Sequence, residues 1–245
     1  MSEVVLTERD GHVLIVTLNR PEARNAWNPA LVQALREIWL DFASSDERVC
    51  VVRGAGAMFS AGIDLKDTPS EGAWAMPNIG VPCNKPILVA VEGAAIGYAA
   101  VMCQYADMVF AGADAYFLYP EAKLGLFQGL MGGFPGRLQY KGGLQWLLTA
   151  DSISAERARE IGLINEVVPP GQAFDRALEV AHKVARNAPL VVQSMKAMAL
   201  STVTKGPMEQ NFHINRGIEQ IMASDDGKEG LASFRERRSA EFRGR

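Results

Sequence analysis

The sequence predicts an α/β core followed by a helical C-terminal piece, and three observations carry that expectation. Short β-branched or apolar runs (13–18, 49–52, 86–91, 108–111) alternate with stretches whose apolar residues recur at helical spacing. Glycine-containing turns punctuate that alternation at Asp10-Gly11, Gly54-Ala55-Gly56 and Gly93. Beyond about residue 188 the strand signal stops and only helical periodicity remains, which divides the chain into a core, 1–188, and a helical module, 189–245.

Taken in order, residues 4–6 and 13–18 flank Asp10-Gly11 and predict a hairpin. The polar stretch 19–28, NRPEARNAWN, closes on Asn28 as helix N-cap and Pro29 as first helical residue. Leu31, Leu35, Ile38, Trp39 and Phe42 then share one face. Residues 49–52 read as a buried strand, and 68–84, rich in Pro and Gly without a clear period, as a mobile loop over a site. The stretch 85–125 reads as strand, glycine turn, small-residue helix from Gly97, strand, aromatic strand 116–119, and a lone acid, Glu121, behind Pro120. Free backbone N–H groups at such a strand-to-helix turn, beside an isolated acid, suit carbonyl chemistry.

A glycine-rich turn (129–136), a helix around 144–148, a helix 155–162 capped by Ser154, and a strand 163–168 stopped by Pro169-Pro170 follow. Helix 173–187 carries Phe174, Ala177, Val180, Ala181 and Val184 on one face. A second helix starts at Pro189 and a third spans about 208–224. The charged end sets Phe234 and Phe242 among arginines.

The 245 residues, 48% hydrophobic and 22% charged, suffice for a full core without disulfides or metals. A net charge of -3 supplies no basic field for nucleic acid or a membrane surface. Cys50, Cys83 and Cys103 form no CxxC pair, which favours a reducing compartment. The N-terminus shows no apolar h-region, so a cytoplasmic location is expected. The longest charge-free run, 93–106, falls short of the ~20 residues a membrane span needs.

Generic motifs fail. GAGAMFSAG has Phe59 where a dinucleotide fingerprint wants its third glycine, and Met58 spoils a G-x-S-x-G reading of Ser60. His12, His182 and His213 do not sit at ligand spacing with acids, so no metal site is expected.

Six segments together resemble the crotonase superfamily, the enoyl-CoA hydratase/isomerase family, in order and spacing: NRPEARNAWN (19–28), FSAGIDL (59–65), KPILVAVEGAAIGYA (85–99), YPEAKLG (119–125), SAERAREIGLINEVVP (154–169) and the arginine-rich end. The resemblance implies a core of ββα units wound as a spiral, with C-terminal helices that build a homotrimer or a dimer of trimers. It implies an acyl-CoA thioester as ligand and no separate cofactor, coenzyme A being part of the substrate. Its oxyanion hole falls on the backbone N–H groups of Ala61 and Tyr98, and its general acid/base on Glu121. Coenzyme A binding maps to Arg24, Ala26, Ala61, Gly62, Ile63, Asp64 and Tyr98.

Two departures from the family pattern shape the expected chemistry. Hydratases resembling this chain carry a second glutamate on the buried helix, where this sequence has Val101. Many members have glycine where Tyr98 stands, so a reshaped acyl pocket is expected. Gly129 replaces the acid of the dienoyl isomerases and aryl dehalogenases. A single glutamate is the pattern of the enoyl-CoA isomerases, so a double-bond shift is the expected reaction, with Tyr98, Tyr119, Gln128 or His213 as possible assistants. A divergent hydratase, a hydrolase or carbon–carbon lyase, and a non-catalytic acyl-CoA binding protein are the alternatives.

Overall fold

The computed structural model describes residues 4–70, 72–126 and 129–245. In chain order its elements are β1 (Val5–Asp10), β2 (Val13–Leu18), α1 (Pro29–Ser44), β3 (Val49–Gly54), β4 (Ile87–Val91), β5 (Ala94–Ile96) and α2 (Tyr98–Tyr105). Next come β6 (Met108–Gly112), β7 (Tyr116–Leu118), α3 (Glu121–Leu124), α4 (Tyr140–Thr149), β8 (Ile153–Ser154), α5 (Ala155–Glu160) and β9 (Glu166–Val168). The chain finishes in α6 (Ala173–Ala185), α7 (Pro189–Thr202), α8 (Pro207–Ala223) and α9 (Asp225–Glu236).

The main sheet runs β1-β2-β3-β4-β6-β9. The β1–β2 hairpin is antiparallel and every later pairing is parallel, with Val13 opposite Val49, Cys50 opposite Ile87 and Leu88 opposite Met108. Its central strands are covered on both faces, which explains their near-continuous apolar runs. Leu14, Val16, Cys50, Val52, Val89 and Val91 point into the larger core with Trp39 and Phe42 of α1. Their sequence neighbours Val13, Ile15, Val49, Val51, Leu88 and Ala90 point the other way, onto α6. That helix offers Ala173, Ala177, Ala181 and Ala185 at four-residue spacing, small enough for the helix to lie close against the sheet.

A second sheet, β5-β7-β8, stands beyond the ends of the first. Gly93 makes the step from β4 to β5: its φ is +59°, and a Cβ there would lie 2.5 Å from the Ala57 carbonyl oxygen. The step forces glycine and gives β4 a short continuation, β5, in the outer sheet, as β7 follows β6. This is the winding of a spiral.

Several expectations need correction. Residues 72–81 are not a mobile surface loop: Ala73, Ala75, Met76 and Ile79 are buried in the core, and Trp39 Nε1 donates to the Ala75 carbonyl at 2.7 Å. Only a 3₁₀ turn, Gly72–Ala75, orders the segment, so it has no helical or strand period to read. In α4 the buried residues are Gly143 and Trp146, while Leu148 is exposed. The strand expected over 163–168 is confined to Glu166–Val168. The charged end begins as a separate helix, α9, capped by Ser224, whose Oγ accepts from Gly227 N at 3.0 Å.

The last helices hang on few anchors. No residue of α7 is buried, and Lys196 ties it down: its Nζ reaches Asp107 at 2.7 Å and the Lys85 carbonyl at 2.8 Å. Glu209 of α8 accepts from Arg137 at 2.9 Å.

Candidate active site

Three turns meet at one point. Ser60 N donates to the Ala94 carbonyl at 3.0 Å and Ile96 N to the Ser60 carbonyl at 3.1 Å, which stitches the turn 60–62 along β5. Gly97 N donates to the Leu118 carbonyl at 2.9 Å, tying the start of α2 to the strand that ends at Glu121. Gly62 and Gly97 allow this approach. A Cβ on Gly62 would lie 2.5 Å from the Ile96 carbonyl oxygen, and one on Gly97 would lie 3.6 Å from Glu121 Oε1 and 4.0 Å from Gly62 Cα. Glu121 Oε1 therefore lies against the Gly97 turn, where φ is +54°.

Glu121 opens the one-turn helix α3 and is 9% exposed. Its Oε2 is buried and has no hydrogen-bond partner among the described residues. Burial pushes its pKa up to about 7, and a backbone hydrogen bond offsets part of that rise. A carboxyl poised there can both take and return a proton at neutral pH. Beside it, burial also pushes the Tyr119 phenol up, with Glu121 and then Tyr98 adding to the effect. Val101, one turn into α2, is fully buried among apolar neighbours and offers no second acid. Gln128 and the side chain of His213 lie outside the described residues.

The two expected backbone donors differ. Tyr98 is the first residue of α2, at the positive end of its dipole. The Ala61 N–H, expected to be free, donates instead to the Arg24 carbonyl at 2.9 Å, and the Gly62 N–H donates to Ser60 Oγ at 3.1 Å. Arg24 and Asn25 both adopt the left-handed conformation, φ +55° and +53°. Asn25 is fully buried; its amide donates to the Ala55 and Met58 carbonyls at 2.8 and 3.0 Å, and its own carbonyl accepts from Ser60 Oγ at 2.8 Å. The loop is thus held against the turn it caps.

Of the residues mapped to coenzyme A, the Arg24 side chain is exposed and makes no ion pair among the described residues, as a phosphate-binding group would require. Asp64 accepts from both Arg20 guanidinium nitrogens at 3.0 and 3.1 Å and from Lys66 N at 3.1 Å, so its carboxylate ties two loops together. Ala26 is buried and its carbonyl accepts from Arg20. Ile63, half-buried, bridges to Trp27 across the same junction.

The Tyr98 side chain is buried against the 19–28 loop. The ring meets Trp27 edge-on at 5.7 Å between centroids, and a Cβ on Gly72 would overlap it. It forms part of the wall of a 660 Å³ cleft that also touches Trp74, Leu130, Met208, Phe212 and Asn215. Trp74 and Phe212 pack edge-to-face at 5.2 Å. The cleft shares Tyr98 with the three-turn junction but does not include Glu121. Sequence reasoning missed Trp74 and Phe212, which come from a segment without period and from α8.

Comparison with known proteins identifies the family. The model of the enoyl-CoA hydratase/isomerase family matches residues 8–245. The chain belongs to that family. A relative 38% identical is an enoyl-CoA hydratase of Mycobacterium tuberculosis, covering 98% of this chain and 96% of the relative. The 2,3-dehydroadipyl-CoA hydratase of Escherichia coli is 33% identical over the whole of both chains. Among solved structures, a carnitinyl-CoA dehydratase from Mycobacterium avium matches with a TM-score of 0.76 and 35% identity over all of both chains. This enoyl-CoA hydratase/isomerase family member therefore has the crotonase fold and is an acyl-CoA enzyme.

Proposed function

We propose that the protein stabilises a thioester enolate and moves a double bond with Glu121 as its sole acid/base. The supporting observation is the pairing of a buried carboxyl, held near neutral pKa, with an apolar Val101 where a second acid would be needed. Glu121 takes a proton from C2 of a 3-enoyl-CoA, the negative charge moves to the thioester oxygen, and the same carboxyl returns a proton at C4. The N–H groups of Tyr98 and of Ala61, once released from Arg24, would hold that oxygen, each worth roughly 3 kcal/mol to the transition state. Arg24 and the 61–64 turn would hold coenzyme A. No helix among the described residues is long and apolar enough to cross a membrane, and no cluster of three metal-ligating side chains is found among them.

A second reading is hydration. The relatives named above are hydratases or dehydratases, and Glu121 alone would then have to orient water and deliver the proton. Turnover of 3-enoyl-CoA and 2-enoyl-CoA by the wild type and Glu121→Gln separates the two. Double-bond shift that disappears with Glu121→Gln supports the first. Crotonyl-CoA hydration at a comparable or higher rate supports the second, and isomerisation that survives the substitution rules the first out. Binding without turnover across a panel of acyl-CoA thioesters would make the protein a non-catalytic binder.

The exposed apolar side chains of α7 and α8, Leu190, Met195, Met198, Ile214 and Ile221 among them, favour self-association through the 189–245 module, as a trimer or dimer of trimers. Sedimentation velocity tests the assembly.

A further inference from the structure

Tyr98 has its backbone in one place and its ring in another. The backbone opens α2 at the three-turn junction, where Gly97 adjoins Gly62 and Glu121. The ring lies against residue 72: a Cβ on Gly72 would fall 1.9 Å from Tyr98 Cε2 and 2.7 Å from Cζ. Tyr98 and Gly72 both line the 660 Å³ cleft, whereas Glu121 does not. The side chain therefore reaches from the proposed oxyanion donor to the cleft wall, and its ring fills the space between them.

The ring is held from both sides. It is 4% exposed and meets the fully buried Trp27 edge-on, with centroids 5.7 Å apart and planes at 85°. Trp27 is itself fixed, its N–H donating to the Gly62 carbonyl at 2.7 Å and its carbonyl accepting from Asp64 N at 3.0 Å. Beyond Gly72, the side chains of Ala73, Ala75 and Met76 are buried in the core. With its neighbours close-packed, the ring reaches another staggered position only if Trp27 or the 72–76 segment moves. Glycine at 72 belongs to the same fit, because any side chain there would need the volume the ring occupies.

We infer that Tyr98 sets the length of the acyl group, its ring closing the way from the reaction centre into the cleft and so confining the site to short acyl thioesters. The inference rests on the acyl-CoA reading of the site. A thioester oxygen held by the Tyr98 N–H places the first acyl carbons beside the residue whose side chain blocks the route onward. The outer methylenes of a longer alkyl tail then find no covered place and add little to binding. Tyr98 acts here through its ring as a specificity-determining residue, and replacing the ring leaves the backbone N–H where it is.

Calorimetry with butyryl-CoA and octanoyl-CoA tests this independently of the reaction catalysed. The wild type is expected to bind octanoyl-CoA no more tightly than butyryl-CoA. Tyr98→Ala, which extends the cleft inward to Trp27, is expected to bind octanoyl-CoA at least about tenfold tighter than butyryl-CoA, from the methylenes newly covered. Tyr98→Leu, which keeps more of the packing, should shift the ratio in the same direction and less far. A wild-type preference for octanoyl-CoA of about tenfold or more, or a ratio unmoved in both variants, overturns the inference. Failure of the wild type to bind either thioester or coenzyme A itself would instead refute the acyl-CoA site. Urea unfolding checks the placement of the ring: Gly72→Ala is expected to lower the midpoint in the wild type and to lower it much less in the Tyr98→Ala background. An equal loss in both backgrounds means that the ring does not fill the space at residue 72, and this also overturns the inference.

Discussion

Glu121 and Glu209 are buried to nearly the same degree, 9% and 7% exposed, yet their surroundings have opposite logic. Glu209 accepts from Arg137 at 2.9 Å and from the Gly206 amide at 2.8 Å, so its charge is matched and it fastens α8 to the core. Glu121 has an oxygen with no partner among the described residues, and its ionised form is penalised by burial. The first arrangement spends a carboxylate on architecture; the second leaves one available for the proposed chemistry. Folding alone gives no reason to bury an unpaired acid, and that is what supports the acid/base role proposed for Glu121.

The comparison can be broken in four ways, from the largest effect downward. Glu121→Gln is expected to lower kcat by about 10³-fold, equivalent to about 4 kcal/mol of barrier, while leaving the fold intact by circular dichroism. Glu209→Ala should do the converse, costing about 3–5 kcal/mol in urea unfolding because it strands Arg137, while activity per folded molecule stays near wild type. If Glu209→Ala abolished turnover without loss of stability, the contrast would collapse.

The third test uses pH. A carboxyl whose folded pKa is raised from 4.5 to about 7 binds more protons when folded, so stability falls as pH rises between those values. Glu121→Gln should therefore be stabilised relative to wild type at pH 8 by up to about 3 kcal/mol, with little difference below pH 4.5. Because proton abstraction needs the ionised form, kcat/KM should rise with pH and level off above about 7. A profile flat from pH 5 to 8 would mean that Glu121 is not the base. The smallest expected effect is on binding: Arg24→Ala should weaken coenzyme A by about 1 kcal/mol, more at low than at high ionic strength, measured by calorimetry.

The inner sheet and α6 were legible because their residues answer to periodicity: strands covered on both faces read as continuous apolar runs, and α6 as a face of Phe174, Ala177, Val180, Ala181 and Val184, of which Ala177 and Ala181 are fully buried. Residues 94–96 were not recognised as a strand, since Ala-Ala-Ile has little side-chain bulk to signal one. The burial of 72–81 escaped notice because that segment packs through a 3₁₀ turn and irregular backbone. Glu121 stood out as a lone acid behind proline, and the family resemblance gave it a role. What surrounds it could not be read, because burial and unsatisfied oxygens are properties of tertiary packing. The Arg24 conformation was illegible for a simpler reason: neither Arg24 nor Asn25 is a glycine, and nothing in NRPEARNAWN announces a left-handed turn.

That turn has a consequence for selectivity between states. With the Arg24 carbonyl seated on the Ala61 N–H, the structure holds an internal competitor for the proposed donor. A neutral thioester oxygen arriving there exchanges one amide–carbonyl bond for another of similar strength and gains almost nothing. An enolate oxygen gains a charge-assisted bond, roughly twice as strong. In an enzyme working as proposed, breaking that bond costs the same in both states, but it cancels the whole ground-state gain and only part of the larger transition-state gain, a threshold that only developing charge clears.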